Sequence, residues 1–150
     1  MKFSVKADYG LRALIELALR GGNGAGPIGA KEIAARQDIP ERFLEQQLTA
    51  LKRAGLVNSQ RGSPGGCSLA KDPAKISVLE VIEALDGPVI NMECLVSREQ
   101  ACSKDSCCVV QELWFQSQVK LKEFLQSVTI EDLTKRQQEI QGTKSLMYYI

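Results

Sequence analysis

The sequence contains no histidine. That absence excludes serine–histidine and cysteine–histidine catalytic pairs, histidine zinc sites and imidazole switches near neutral pH. Aromatic residues are scarce, at 5%. No apolar run reaches the roughly 18 residues that suggest a membrane-spanning helix. A strong excess of one charge is also missing: nineteen Lys and Arg face eighteen Asp and Glu, leaving +1. The opening Met1-Lys2-Phe3-Ser4-Val5-Lys6 carries no apolar signal region, so a cytoplasmic protein without a membrane partner is expected. What is present is the balance of a globular chain: 150 residues, 44% hydrophobic and 25% charged, enough for one core.

Two features are unevenly spread. Residues 1–70 hold ten Lys and Arg against six Asp and Glu, whereas residues 71–150 hold nine against twelve. A basic first part followed by an acidic remainder fits a nucleic-acid-binding part joined to something else. Four of the five cysteines lie between residues 94 and 108. In a reducing compartment such clustering points to metal or redox chemistry more than to a disulfide framework.

Leu11, Leu14, Ile15 and Ala18 recur at helical spacing, which predicts a helix over residues 5–20 with Ser4 as its cap. A glycine-rich break follows at residues 21–27, and residues 29–37 read as a short helix. Asp38-Ile39-Pro40 is a turn, with Pro40 suited to the first position of a helix running to Ala54 and Gly55 as its terminator. Two short helices joined by a tight turn make a helix-turn-helix pattern. Residues 56–60 and 67–70 read as the strands of a hairpin, a wing. Ser77 and Glu80 form the pattern of a capping box for a helix ended by Asp86-Gly87-Pro88. After an irregular cysteine segment, Val110, Leu113, Ser117, Leu121, Phe124 and Val128 predict a long amphipathic helix. It reads either as a dimerisation element or as core packing within the chain. Thr129 and Asp132 cap a last helix, with a loose end expected beyond Gly142. The fold class expected is mainly α: a winged helix-turn-helix with a small β-hairpin wing and a long C-terminal dimerisation helix. The expected division is a DNA-binding domain at residues 1–75 and a cysteine-loop sensor and dimerisation region at residues 76–150.

Two groups of residues carry chemistry. In a helix-turn-helix the second helix enters the major groove with its first residues against base edges. Here these are Glu41, Arg42, Glu45 and Gln46. Arg forks onto guanine, Gln onto adenine, and Glu accepts from cytosine. Arg61, flanked by glycine on a thin loop, suits a narrow minor groove and its negative potential. The alternative is a winged helix used for protein contacts, with these side chains simply solvated. The second group is Cys94-x7-Cys102-x4-Cys107-Cys108. Three or four thiolates in a polar loop can converge on one soft metal centre. The spacing lacks the C-x₂₋₄-C knuckles of structural zinc sites, so an iron–sulfur cluster fits better than zinc. Unligated thiols remain the other reading. No base or cofactor motif supports an enzyme.

In order along the chain stand Met1-Lys2-Phe3-Ser4-x-Lys6-x-Asp8-Tyr9-Gly10-Leu11-Arg12, Phe43-Leu44-Glu45-Gln46, Leu51-Lys52-Arg53-Ala54-Gly55-Leu56-Val57, Arg61-Gly62-x-x-Gly65-Gly66, Val81-Ile82-Glu83-Ala84-Leu85-Asp86-Gly87 and Leu113-Trp114. With these, nearly the whole chain resembles the Rrf-two family of winged-helix transcription regulators. The resemblance implies a homodimer on a double-stranded DNA operator. It also implies three cluster cysteines in the loop before the long helix, at positions matching Cys94, Cys102 and Cys108, with Cys107 as rival for the last. It places Arg42, Glu45 and Gln46 near bases and Arg61 at the wing tip. Some members have a histidine three residues after the third cysteine, where this chain has Gln111, a poorer iron ligand. Others use a carboxylate early in the first helix, reaching across the dimer, and Asp8 occupies that place. Asp8 reads equally as a first-turn acid favoured by the helix dipole. Cys67 reads as a small wing residue without a ligand role, redox-active only if exposed. The resemblance leaves open a two-iron or four-iron cluster, and a regulator that lacks one and senses through thiol oxidation or a protein partner.

Overall fold

The computed structural model describes residues 4–21, 26–63, 65–89 and 109–147. Helix α1 (Val5–Gly21) starts where the Ser4 hydroxyl accepts the backbone N–H groups of Lys6 and Ala7, at 3.1 and 3.2 Å. This satisfies donors that a helix start leaves unpaired. Ala7, Gly10, Ala13, Leu14 and Leu17 form the buried stripe of α1. Helix α2 (Ala30–Gln37) stops at Asp38, which adopts a left-handed conformation at φ 52°. A short acidic side chain tolerates that conformation better than most. Pro40, expected as the first helical residue, is instead the cap of α3 (Glu41–Arg53): its ψ of 122° is not helical, and its carbonyl accepts from Phe43 and Leu44. Gly55 ends the helix as expected, at φ 72°, and the Leu56 N–H returns to the Leu51 carbonyl at 3.0 Å.

The wing is an antiparallel pair, β1 (Val57–Gln60) and β2 (Gly66–Leu69), with Val57 opposite Leu69 and Ser59 opposite Cys67. Its outer side also binds Ile28, which exchanges two backbone hydrogen bonds with Cys67 at 2.8 and 2.7 Å. The sequence pattern gave no sign of this bridge, because Ile28 is a single apolar residue after a glycine-rich break. Gly66 makes room for it: a Cβ there would lie 2.5 Å from the Ile28 backbone.

A one-turn 3₁₀ segment (Pro73–Lys75) leads to α4 (Val78–Asp86). The expected box at the start of α4 is half formed. Ser77 accepts from the Glu80 N–H at 3.2 Å, but the Glu80 carboxylate pairs with Lys71 at 2.6 Å. Helix α5 (Val109–Ser127) is the long helix, and α6 (Ile130–Met147) continues through Gly142. Thr129 and Asp132 cap α6 reciprocally at 2.9 and 3.2 Å, and the hydrogen bonds from Thr129 hold the Asp132 carboxyl below its ordinary range.

Leu14, Ile33, Leu44, Leu51, Leu56, Ile76, Val81 and Ile130 form one core with α1 at its centre. Each contributes about 1.5–3 kcal/mol by leaving water. Ile130 is stitched in by its N–H, which donates to the Ile76 carbonyl at 2.9 Å. A second cluster joins Ala7, Val78, Ile82 and Leu125 to Leu11, Val89 and Leu121. Buried Glu16 anchors the short α2 to α1, accepting from Gln37 at 3.0 Å and Arg36 at 3.4 Å. The architecture is a winged helix-turn-helix followed by two long helices.

Candidate nucleic-acid interface

Helix α3 is two-faced. Leu44, Gln47, Leu48 and Leu51 are buried, whereas Glu41, Arg42, Glu45 and Gln46 are exposed. The core therefore grips one side of α3 and turns its polar side outward. Tyr9 of α1 meets Phe43 edge-to-face, with ring centroids 5.7 Å apart, and fixes the start of α3. Among the described residues, nothing pairs with the side chains of Arg42, Glu45, Gln46 or Arg61, and all four are exposed. The expected base-reading set is thus gathered on the first two turns of α3, with Arg61 just past the outer end of β1. An exposed guanidinium without a protein partner can bind a phosphate or a base edge without first breaking an ion pair.

At the junction of α3 and the wing, the Lys52 ammonium donates to the Ser59 hydroxyl. Cys67, opposite Ser59, is half-buried; burial pushes its thiol up from the ordinary value, and the Lys52 charge pulls the other way. An exposed, reactive wing thiol is therefore not what the fold provides. Sequence reading singled out Cys67 but missed Lys52. The signal was present: Lys52 stands seven residues after Glu45, on the same helical face.

Asp8 is exposed on the first turn of α1 and pairs with Arg12 at 3.0 Å. Its neighbour Ala7 shares the second apolar cluster with Val89 and Leu121. Val89, packed against the same cluster, is the last described residue before the cysteine segment. Cys94, Cys102, Cys107 and Cys108 lie outside the described residues. Gln111 is half-buried in the first turn of α5.

Residues 3–136 match the Rrf2 family model, described as an iron-dependent transcriptional regulator. The chain is 39% identical, over the full length of both proteins, to the HTH-type transcriptional regulator CymR of Bacillus subtilis. The solved structure of CymR, the global cysteine regulator of B. subtilis, superposes with a TM-score of 0.76 at 37% identity, covering 91% of this chain and 98% of that one. IscR from T. potens gives a TM-score of 0.76 at 35% identity, covering 94% and 91%.

Proposed function

Because the chain belongs to the Rrf2 family of DNA-binding transcriptional regulators, we propose that it acts as a cytoplasmic homodimer controlled by an iron–sulfur cluster. In this reading Arg42, Glu45 and Gln46 approach base edges in the major groove, and Arg61 enters the adjacent minor groove. The observation that carries the reading is the outward set on α3 and the wing tip, unpaired among the described residues, with the core gripping the opposite face of α3. Dimerisation is supported by α5, which presents Val110, Leu113, Phe115 and Phe124 to solvent. Two copies of one recognition helix would then meet half-sites about one DNA turn apart.

The donor chemistry fits the cluster: three soft thiolates in the loop, with the Asp8 carboxylate exposed on the first turn of α1. Cys94, Cys102 and Cys108 would hold it, with Asp8, Gln111 or Cys107 completing the set. When bound, such a cluster supplies thiolate–iron bonds that respond to oxidants, nitric oxide and iron supply. Residues 1–75 would bind DNA, and residues 76–150 would carry the sensor loop and the dimer helix. Val89 and Leu121, packed against the cluster that includes Ala7 of α1, would link the two.

Anaerobic purification with iron, sulfide and absorbance measurements tests this. Brown protein carrying iron and acid-labile sulfide is expected, and Cys94→Ala should lose the colour while remaining folded. Colour that survives Cys94→Ala overturns the ligand assignment. The 39% identity to CymR favours a second reading, a regulator of the same fold without a cluster that senses by thiol oxidation or through a protein partner. Colourless, iron-free protein after reconstitution selects it.

A further inference from the structure

We propose that Lys52 determines specificity without touching a base: it fixes the wing relative to the base-reading turns of α3. The argument starts in β1. Successive side chains of a strand point to opposite faces, so Ser59 shares the inward face with Val57, which is buried against the core. At Ser59 the core has run out, and the inward face meets the last turn of α3 instead. There Lys52 closes the gap by donating to the Ser59 hydroxyl. The backbone bridge from Ile28 holds only the opposite strand, at Cys67. Val57 shares the core with Leu44, Leu48 and Leu51 of α3, and beyond it the Lys52–Ser59 bond is, among the described residues, the side-chain hydrogen bond between β1 and the recognition helix.

The consequence is geometric. Glu45 and Lys52 lie on one face of α3, two turns and roughly 10 Å apart. Arg61 follows Ser59 by two residues. Glu45, Lys52, Ser59 and Arg61 therefore form a short route through one helix and one strand. It sets the distance between what α3 reads in the major groove and what the wing reads beside it. An operator must offer both features at that spacing. Without that bond the part of the wing beyond Val57 accepts a range of spacings, so discrimination at the flank falls while the central preference stays. This inference rests on the wing-tip role proposed for Arg61.

The test is in vitro selection from a duplex library with randomised centre and flanks, followed by titration of selected duplexes at several salt concentrations. Lys52→Ala should lose the flank preference, as Arg61→Ala does, keep the central preference, and weaken affinity by no more than about fivefold. Lys52→Arg should restore the flank preference. Ser59→Ala should reproduce Lys52→Ala, and the double variant should be no worse than either single one. A uniform loss across all sequences, with the salt slope reduced by about one and Ser59→Ala silent, overturns the proposal and makes Lys52 a phosphate contact. Unchanged flank preference in Lys52→Ala also overturns it. If Arg61→Ala keeps the flank preference, the wing-tip reading itself fails and takes the proposal with it.

Discussion

At the scale of the residue, exposure decides which side chains can act, and the sequence shows exposure only where a period is strong. Arg42, Glu45 and Gln46 were legible because Leu44, Leu48 and Leu51 mark the opposite face of α3. Arg61 was legible because it stands among turn residues. Cys67 was not: a cysteine two residues from the turn reads as wing surface, yet it is half-buried between β1 and Ile28. Its raised pKa lowers the thiolate fraction near neutral pH, and the thiolate is the nucleophile. Alkylation by iodoacetamide at pH 8, followed by peptide mass spectrometry, should label Cys67 more slowly in the folded protein than in urea. The rate in the folded protein should climb as pH rises above the ordinary thiol range. Equal rates in the folded and unfolded protein would show that burial does not protect this thiol. The partnership of Lys52 with Ser59 was likewise invisible, since it depends on how far the core extends beneath the wing.

Among the elements, helices with strong stripes and clear caps were legible to within a residue or two. Ser4, Gly55 and the Thr129–Asp132 pair stand where local chemistry demands them. The departures arose where a tertiary partner outcompeted a local one. Glu80 left its box for Lys71, and Ile28 became a third edge to the wing. That edge makes Gly66 the sensitive point of the hairpin. Its φ is 156°, and any Cβ would strike the Ile28 backbone, which cannot swing aside as a side chain can. Gly66→Ala should lower stability by about 2 kcal/mol or more in urea denaturation. It should also weaken DNA binding in proportion to wing disorder. A variant with wild-type stability would mean that the Ile28 bridge contributes little.

For the whole molecule, the question is what covers α5. Six of the eight exposed large hydrophobic residues among the described ones lie on it. Among the described residues, its later part, at Leu121 and Leu125, is what joins the second apolar cluster. The sequence stripe showed an apolar helix but not how its length divides between the chain's own core and a surface left open, because both uses need the same period. If α5 forms the proposed dimer contact, Leu113→Asp should give a folded monomer in sedimentation equilibrium where the parent protein is a dimer. It should also weaken operator binding about a hundredfold, by separating two linked half-site contacts. A dimer of unchanged stability would place the subunit contact elsewhere. The core carries one more consequence. Ile130, near the far end of the chain, is fully buried with Leu14 and Ile33 of the first helices. The reading head is therefore not finished when its own residues leave the ribosome. It closes only after the cysteine segment and α5 have been made, so a chain cut short by a stalled ribosome before Ile130 lacks a completed core with which to compete for the operator.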